Sequence, residues 1–163
     1  MVLALSFLSF GASAECYEDT IQPTTDTVQY LVNNDGSVLD VSSGLTWSQC
    51  LYGQEFNPET GGCDGSPEAV QSWDAALVAQ ESIEGDWRLP NIKELATLVE
   101  YSCVEPSINT DVFSNTPSAP FWTNTPNSDR FGETDGKVIN FASGAEGVEN
   151  INTTSVYIRF VKR

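Results

Sequence analysis

Asp86-Trp87-Arg88-Leu89-Pro90-Asn91-Ile92-Lys93-Glu94-Leu95 is the stretch on which the organisation of the chain turns. Leu89 stands before a proline, which disfavours the helical region and makes 86–90 an extended lead-in. Asn91 has the residue type of a helix N-cap, and Glu94 three positions on completes a capping box. Ile92, Leu95, Ala96 and Val99 then fall along one stripe, so an amphipathic helix starts here. Trp87 is expected to fill the core, while Arg88 pairs with a carboxylate and holds the helix entry.

Working outward towards the N-terminus, a first helix is expected from Pro67 or Glu68 to near Gly85. Val70, Trp73, Ala76 and Leu77 carry its apolar spacing. Before it, 26–47 reads as a β-meander. Residues 27–32 are rich in β-formers, Asn33-Asn34-Asp35-Gly36 is a turn, 37–41 is a second strand, and Ser42-Ser43-Gly44 turns into Leu45-Thr46-Trp47. Residues 51–67 are expected as a loop. Beyond Cys103 the chain is rich in Pro, Asn, Ser and Thr, with short strands expected at 121–123, 137–141, 148–151 and 155–161. In the last, Val156, Ile158 and Phe160 alternate onto one side. The fold class is therefore α+β: short antiparallel strands at both ends and two central helices, in one domain over 15–163.

Residues 2–10, VLALSFLSF, form an apolar run followed by Gly11-Ala12-Ser13-Ala14. This pattern predicts a signal peptide over 1–14, cleaved before Glu15, and the run is too short to span a bilayer. The expected location is secreted or periplasmic. Cys16, Cys50, Cys63 and Cys103 are then an even set in an oxidising compartment, and three pairings are open to them. Cys50–Cys63 would be a local staple, and Cys16–Cys103 would then tie the mature N-terminus to mid-chain; this pairing is preferred. No short Cys-x-x-Cys spacing supports a zinc site.

Composition excludes several functions. Of the 163 residues, 7 are Lys or Arg and 23 are Asp or Glu, giving a net charge of −16, and there is no histidine. Nucleic acid and anionic membranes are not expected partners, because neutralising phosphates needs clustered basic residues. A Ser-His-Asp triad, a Cys-His dyad and a His-ligated zinc site are all impossible without histidine. Aligning Gly36, Gly65 or Gly136 with the EF-hand glycine places Leu31, Thr60 or Phe131 at the first ligand position, so no EF-hand exists. The expectation is no catalytic residue, no metal and no cofactor; a carboxylate hydrolase ranks third among readings.

Taken in order, 34–40, Gly44-Leu45-Thr46-Trp47, 86–95, Pro106-Ser107-Ile108-Asn109 with Phe113, Phe121-Trp122-Thr123 and 158–163 resemble the Lcl C-terminal domain family over about 26–163. The family is named after a bacterial collagen-like adhesin, and the resemblance implies an exported bacterial domain. The tryptophan-arginine-leucine-proline step is also similar to formylglycine-generating enzymes, so the resemblance implies a C-type-lectin-like fold. The adhesin's domain is implicated in glycosaminoglycan binding; a charge of −16 argues against polyanions here. Late loops commonly carry the ligand surface in such folds. Trp122, with Asn124, Asp129 and Arg130 after it, is accordingly the candidate ligand-binding set, an aromatic face beside hydrogen-bonding groups. The expected function is a lectin-like binding or adhesion module recognising a glycan, peptide or envelope partner. A structural assembly domain, with oligomerisation, is the alternative.

Overall fold

The computed structural model describes residues 14–127, 135–148 and 155–163. The Asn91 cap forms as its residue types require. Asn91 Oδ1 accepts from the Lys93 and Glu94 N–H groups at 3.0 and 2.9 Å, and Glu94 Oε2 accepts from the Asn91 N–H at 2.9 Å. The helix it opens, α2 (Ile92–Ala96), is five residues long and ends at Thr97. Val99 is still buried, but through a bridge to Ile108 and not as a helical residue.

Helix α1 (Trp73–Glu81) starts later than Pro67 or Glu68. The main chain explains this. Glu68 N–H donates to Tyr52 C=O and Val70 N–H to Val156 C=O, both at 2.8 Å, so the segment before Trp73 is held against two other segments. Ser72 then caps the helix through its side chain and the Ala75 N–H.

Strands β1 (Glu15–Cys16) and β7 (Cys103–Val104) pair antiparallel. β2 (Tyr30–Val32), β3 (Ser37–Asp40), β4 (Leu45–Ser48) and β11 (Val161–Lys162) form a sheet in the order β11-β4-β3-β2. The expected meander is present, but its first strand is shorter, because Asp26 caps a 3-10 turn over Thr27–Gln29. The expected loop at 51–67 contains a hairpin, β5 (Glu55–Asn57) with β6 (Gly62–Asp64). β8 (Pro120–Pro126), β9 (Gly136–Asn140) and β10 (Ala145–Val148) make the third sheet, in the order β10-β9-β8. The expected strand at 148–151 meets β10 only at Val148; the rest lies outside the described residues. The expected strand at 155–161 contracts to its end. Val156, Ile158 and Phe160 are buried as the alternation requires, yet their carbonyls accept from Val70, Tyr52 and Ser48, three partners in separate segments.

β8 and β9 are apolar on both faces. Phe121 pairs with Ile139 and Trp122 with Val138, adjacent pairs facing opposite ways. Phe121 and Ile139 join Trp47, Leu95, Leu98 and Phe113 in one core cluster. Trp122 and Val138 join Leu89, Ala76, Ile158 and Phe160 in another. Arg159 is 1% exposed among these apolar groups. Its Nη1 donates to the Ser48 and Gln49 carbonyls at 2.6 and 2.8 Å, its Nη2 to Thr116 Oγ1 at 2.8 Å, and its guanidinium lies 4.6 Å from the Phe113 ring centre. Both preferred disulfides are formed, Cys16–Cys103 and Cys50–Cys63, with no free cysteine.

Candidate functional site

Glu100 lies just beyond α2 and is 3% exposed, so its carboxylate must be satisfied from within the protein. It accepts from the Thr24 N–H at 2.9 Å, the Thr25 N–H at 2.6 Å and Thr25 Oγ1 at 2.9 Å. On its other side it accepts from the Ser102 N–H and Oγ at 2.8 and 2.7 Å. Burial acts to raise its pKa, but these hydrogen bonds win and hold it down at about 2. The charged carboxylate therefore straps the segment ahead of β2 onto the domain, and the Cys16–Cys103 bridge fixes that segment's far end.

Asn109 makes the second strap. Its Nδ2 donates to Thr25 C=O and Thr27 Oγ1, both at 3.1 Å, and its Oδ1 accepts from the Asp111 N–H at 3.1 Å. Between the two straps opens a cleft of about 370 Å³, and the acids lining it are Glu18, Asp26, Glu100 and Asp111. Among the described residues, no Lys or Arg lines it. Glu100 and Asn109 are occupied in holding the walls, whereas the Glu18 and Asp111 carboxylates make no hydrogen bond or ion pair among the described residues. The cleft thus offers acceptors. It suits hydroxyl or N–H donors and positive charge, and repels anions. Glu18 and the two sulfurs of Cys16 and Cys103 lie within 4.8 Å of one another. Sulfurs bonded to each other are not thiolates, so these three do not make a metal site.

The residues expected to bind a ligand are placed elsewhere. Trp122 is 1% exposed and its Nε1 donates to Val70 C=O at 2.9 Å. This corrects the expectation of an exposed stacking platform: β8 is buried on both faces, so neither face of the ring is open. Asn124 is half-buried and donates from its N–H to Pro90 C=O at 2.8 Å and from Nδ2 to Leu89 C=O at 3.3 Å. It pins β8 to the extended lead-in. Asp129 and Arg130 lie outside the described residues.

The helix-entry motif is built as expected, with one correction. Arg88 Nη1 and Nη2 donate to Glu94 Oε2 and Oε1, both at 2.8 Å, a bidentate pair. The guanidinium holds the Glu94 carboxyl below its ordinary range, against the opposing effect of burial. Trp87 is half-buried and not deep in the core. Lys162 Nζ sits 4.4 Å from its ring centre, and the ring borders a smaller apolar hollow of about 200 Å³ with Tyr52, Ile83 and Phe160.

Reading the sequence did not nominate Glu100, Asp26 or Asp111. The available signal was Asn109, which closes one of the ordered motifs; nothing local marks Glu100 as the acceptor for residues about 75 positions earlier. The model of the Lcl C-terminal domain family matches residues 36–162. No curated protein and no solved structure matches the chain.

Proposed function

Starting from a chain that belongs to the Lcl C-terminal domain family, we propose that it is an exported bacterial binding module of lectin-like architecture, not a catalyst, and that its acidic cleft takes the ligand. The cleft of about 370 Å³, walled by the Glu100 and Asn109 straps, is the observation that supports this most. The Cys16–Cys103 bridge and the Glu100 and Asn109 hydrogen bonds tie its walls together, which supports a preformed shape. Its free groups are acceptors, so the ligand is a neutral glycan presenting hydroxyls or a peptide presenting N–H groups and cations. Sulfated sugars are excluded by charge.

Two disulfides and the apolar run at residues 2–10 support export, and no helix among the described residues is long and apolar enough to cross a membrane. The lectin-like reading is supported by β11, the last strand among the described residues, returning to the sheet built by β2, β3 and β4. The test is a glycan-array screen of the disulfide-intact protein, with and without calcium, repeated on Asp111→Asn and Asn109→Ala. Specific binding that falls in both variants supports the cleft. A ligand retained at full affinity by both lies elsewhere.

The assembly reading also has a specific observation in its favour. Val28, Leu31, Val32 and Val41 are all exposed around one sheet edge, and such a patch marks an interaction surface. A sedimentation series showing a concentration-dependent dimer would favour it.

A further inference from the structure

β2 is the last strand of its sheet, with β3 on one side and no strand on the other among the described residues. Asn33 N–H donates to Ser37 C=O and Val41 N–H to Gln29 C=O, both at 2.9 Å, and Leu31 is in register with Leu39. In an antiparallel ladder with hydrogen-bonded pairs at those positions, the main-chain groups of Tyr30 and Val32 point away from β3. The Tyr30 N–H is taken by Thr27 C=O. Tyr30 C=O, Val32 N–H and Val32 C=O are left facing outward, three ladder groups in a row.

The side chains around them are apolar and open. Leu31, Val32 and Val41 are each 53% exposed and Val28 is 82% exposed. By the strand alternation Leu31, Leu39 and Val41 share the outer face of the sheet. Natural sheet edges are usually blunted with charge or proline, and this one is not.

Charge identifies the occupant. The acidic cleft is lined by Asp26 and Thr27, and the chain runs from them through the 3-10 turn Thr27–Gln29 directly into β2, so an acidic surface adjoins the start of the edge strand in the chain. A second copy of the chain would bring another −16 to that surface. We infer that β2 is the docking edge for an extended segment of a partner protein in which lysine or arginine alternates with apolar residues. The segment's main chain adds to β2, its apolar side chains pack on Leu31 on the outer face, and a basic side chain on the opposite face enters the cleft. This rests on the binding-module reading and names its ligand as a basic peptide.

The probe is a capped, labelled seven-residue peptide alternating lysine and valine, titrated into the disulfide-intact protein by fluorescence anisotropy. Expected are saturable binding, loss of about tenfold or more in affinity when alternate peptide amides are N-methylated, and a similar loss on Leu31→Lys. Val32→Pro removes the outward donor and acts in the same direction; Leu31→Lys changes only an exposed side chain and keeps the test informative if the proline variant fails to fold. A peptide with glutamate in place of lysine is not bound. Affinity unaffected by N-methylation of the peptide would show charge attraction alone and overturn the proposal. A dimer of the protein abolished by Leu31→Lys would assign the edge to a second copy and overturn it as well. Glycan bound at the cleft with no peptide bound would remove this inference and leave the proposed function standing.

Discussion

Glu100 and Arg159, two of the buried charged side chains, are satisfied in opposite ways. Glu100 is held as an anion by hydrogen-bond donors, with no basic partner among the described residues. Its pKa is about 2 in the folded protein against an ordinary value of 4.5. A depressed carboxyl pKa stabilises the fold fully above about pH 4.5, and that stability is lost as pH falls through about 2. The loss is on the order of 3 kcal/mol. Denaturation midpoints taken between pH 6 and pH 2 should fall in that window for the parent protein, and less steeply for Glu100→Gln. Parallel curves would contradict the strap. Arg159 is held as a cation by carbonyls, a hydroxyl and the Phe113 ring. Burial pulls its pKa down to about 9, which leaves it charged at neutral pH. Arg159→Met should destabilise by about 3 kcal/mol in urea titration, because the Ser48 and Gln49 carbonyls lose their donor.

At the scale of the element, packing decides where helices and strands begin. Asn91→Ala should cost about 1 kcal/mol through loss of the cap, measured by chemical denaturation; an unchanged midpoint would contradict the role of the capping box. β9 starts at a glycine because a side-chain carbon at Gly136 would lie 2.1 Å from Trp73 Cδ1. Gly136→Ala should therefore destabilise by about 1–3 kcal/mol and shift tryptophan fluorescence, since Trp73 donates from Nε1 to Thr123 C=O and must move. α2 was legible in the sequence because its start is written in local residue types, Asn91 and Glu94. α1 was displaced, since the bonds that keep 67–71 out of the helix come from Tyr52 and Val156, far away in the chain. The β5–β6 hairpin left no propensity signal in its Gly- and Asn-rich sequence. Trp122 was misplaced for a related reason: its polar sequence neighbours say nothing of the second core packed on the far side of β8. The cleft was the least legible part, being assembled from segments some 75 to 84 positions apart.

For the whole molecule, the two disulfides differ in reach. Cys50–Cys63 closes a separation of 13 residues and Cys16–Cys103 one of 87. On the chain-entropy model the long bridge contributes about 4–5 kcal/mol and the short one about 3. The paired change Cys16→Ser with Cys103→Ser should lower the melting temperature more than Cys50→Ser with Cys63→Ser does. It should also abolish cleft binding while the short staple survives; equal melting points for the two variants would contradict the ranking. The long bridge has a further consequence in time. As the chain emerges from its N-terminus, Cys16 arrives first, and Cys50 and Cys63 both follow before Cys103 exists to meet it. Order of arrival thus favours a wrong first pair, Cys16 with Cys50, over either native bridge. Completing the native pairing is a matter of either patience or repair: Cys16 waits as a free thiol, or an exchange catalyst undoes its first choice.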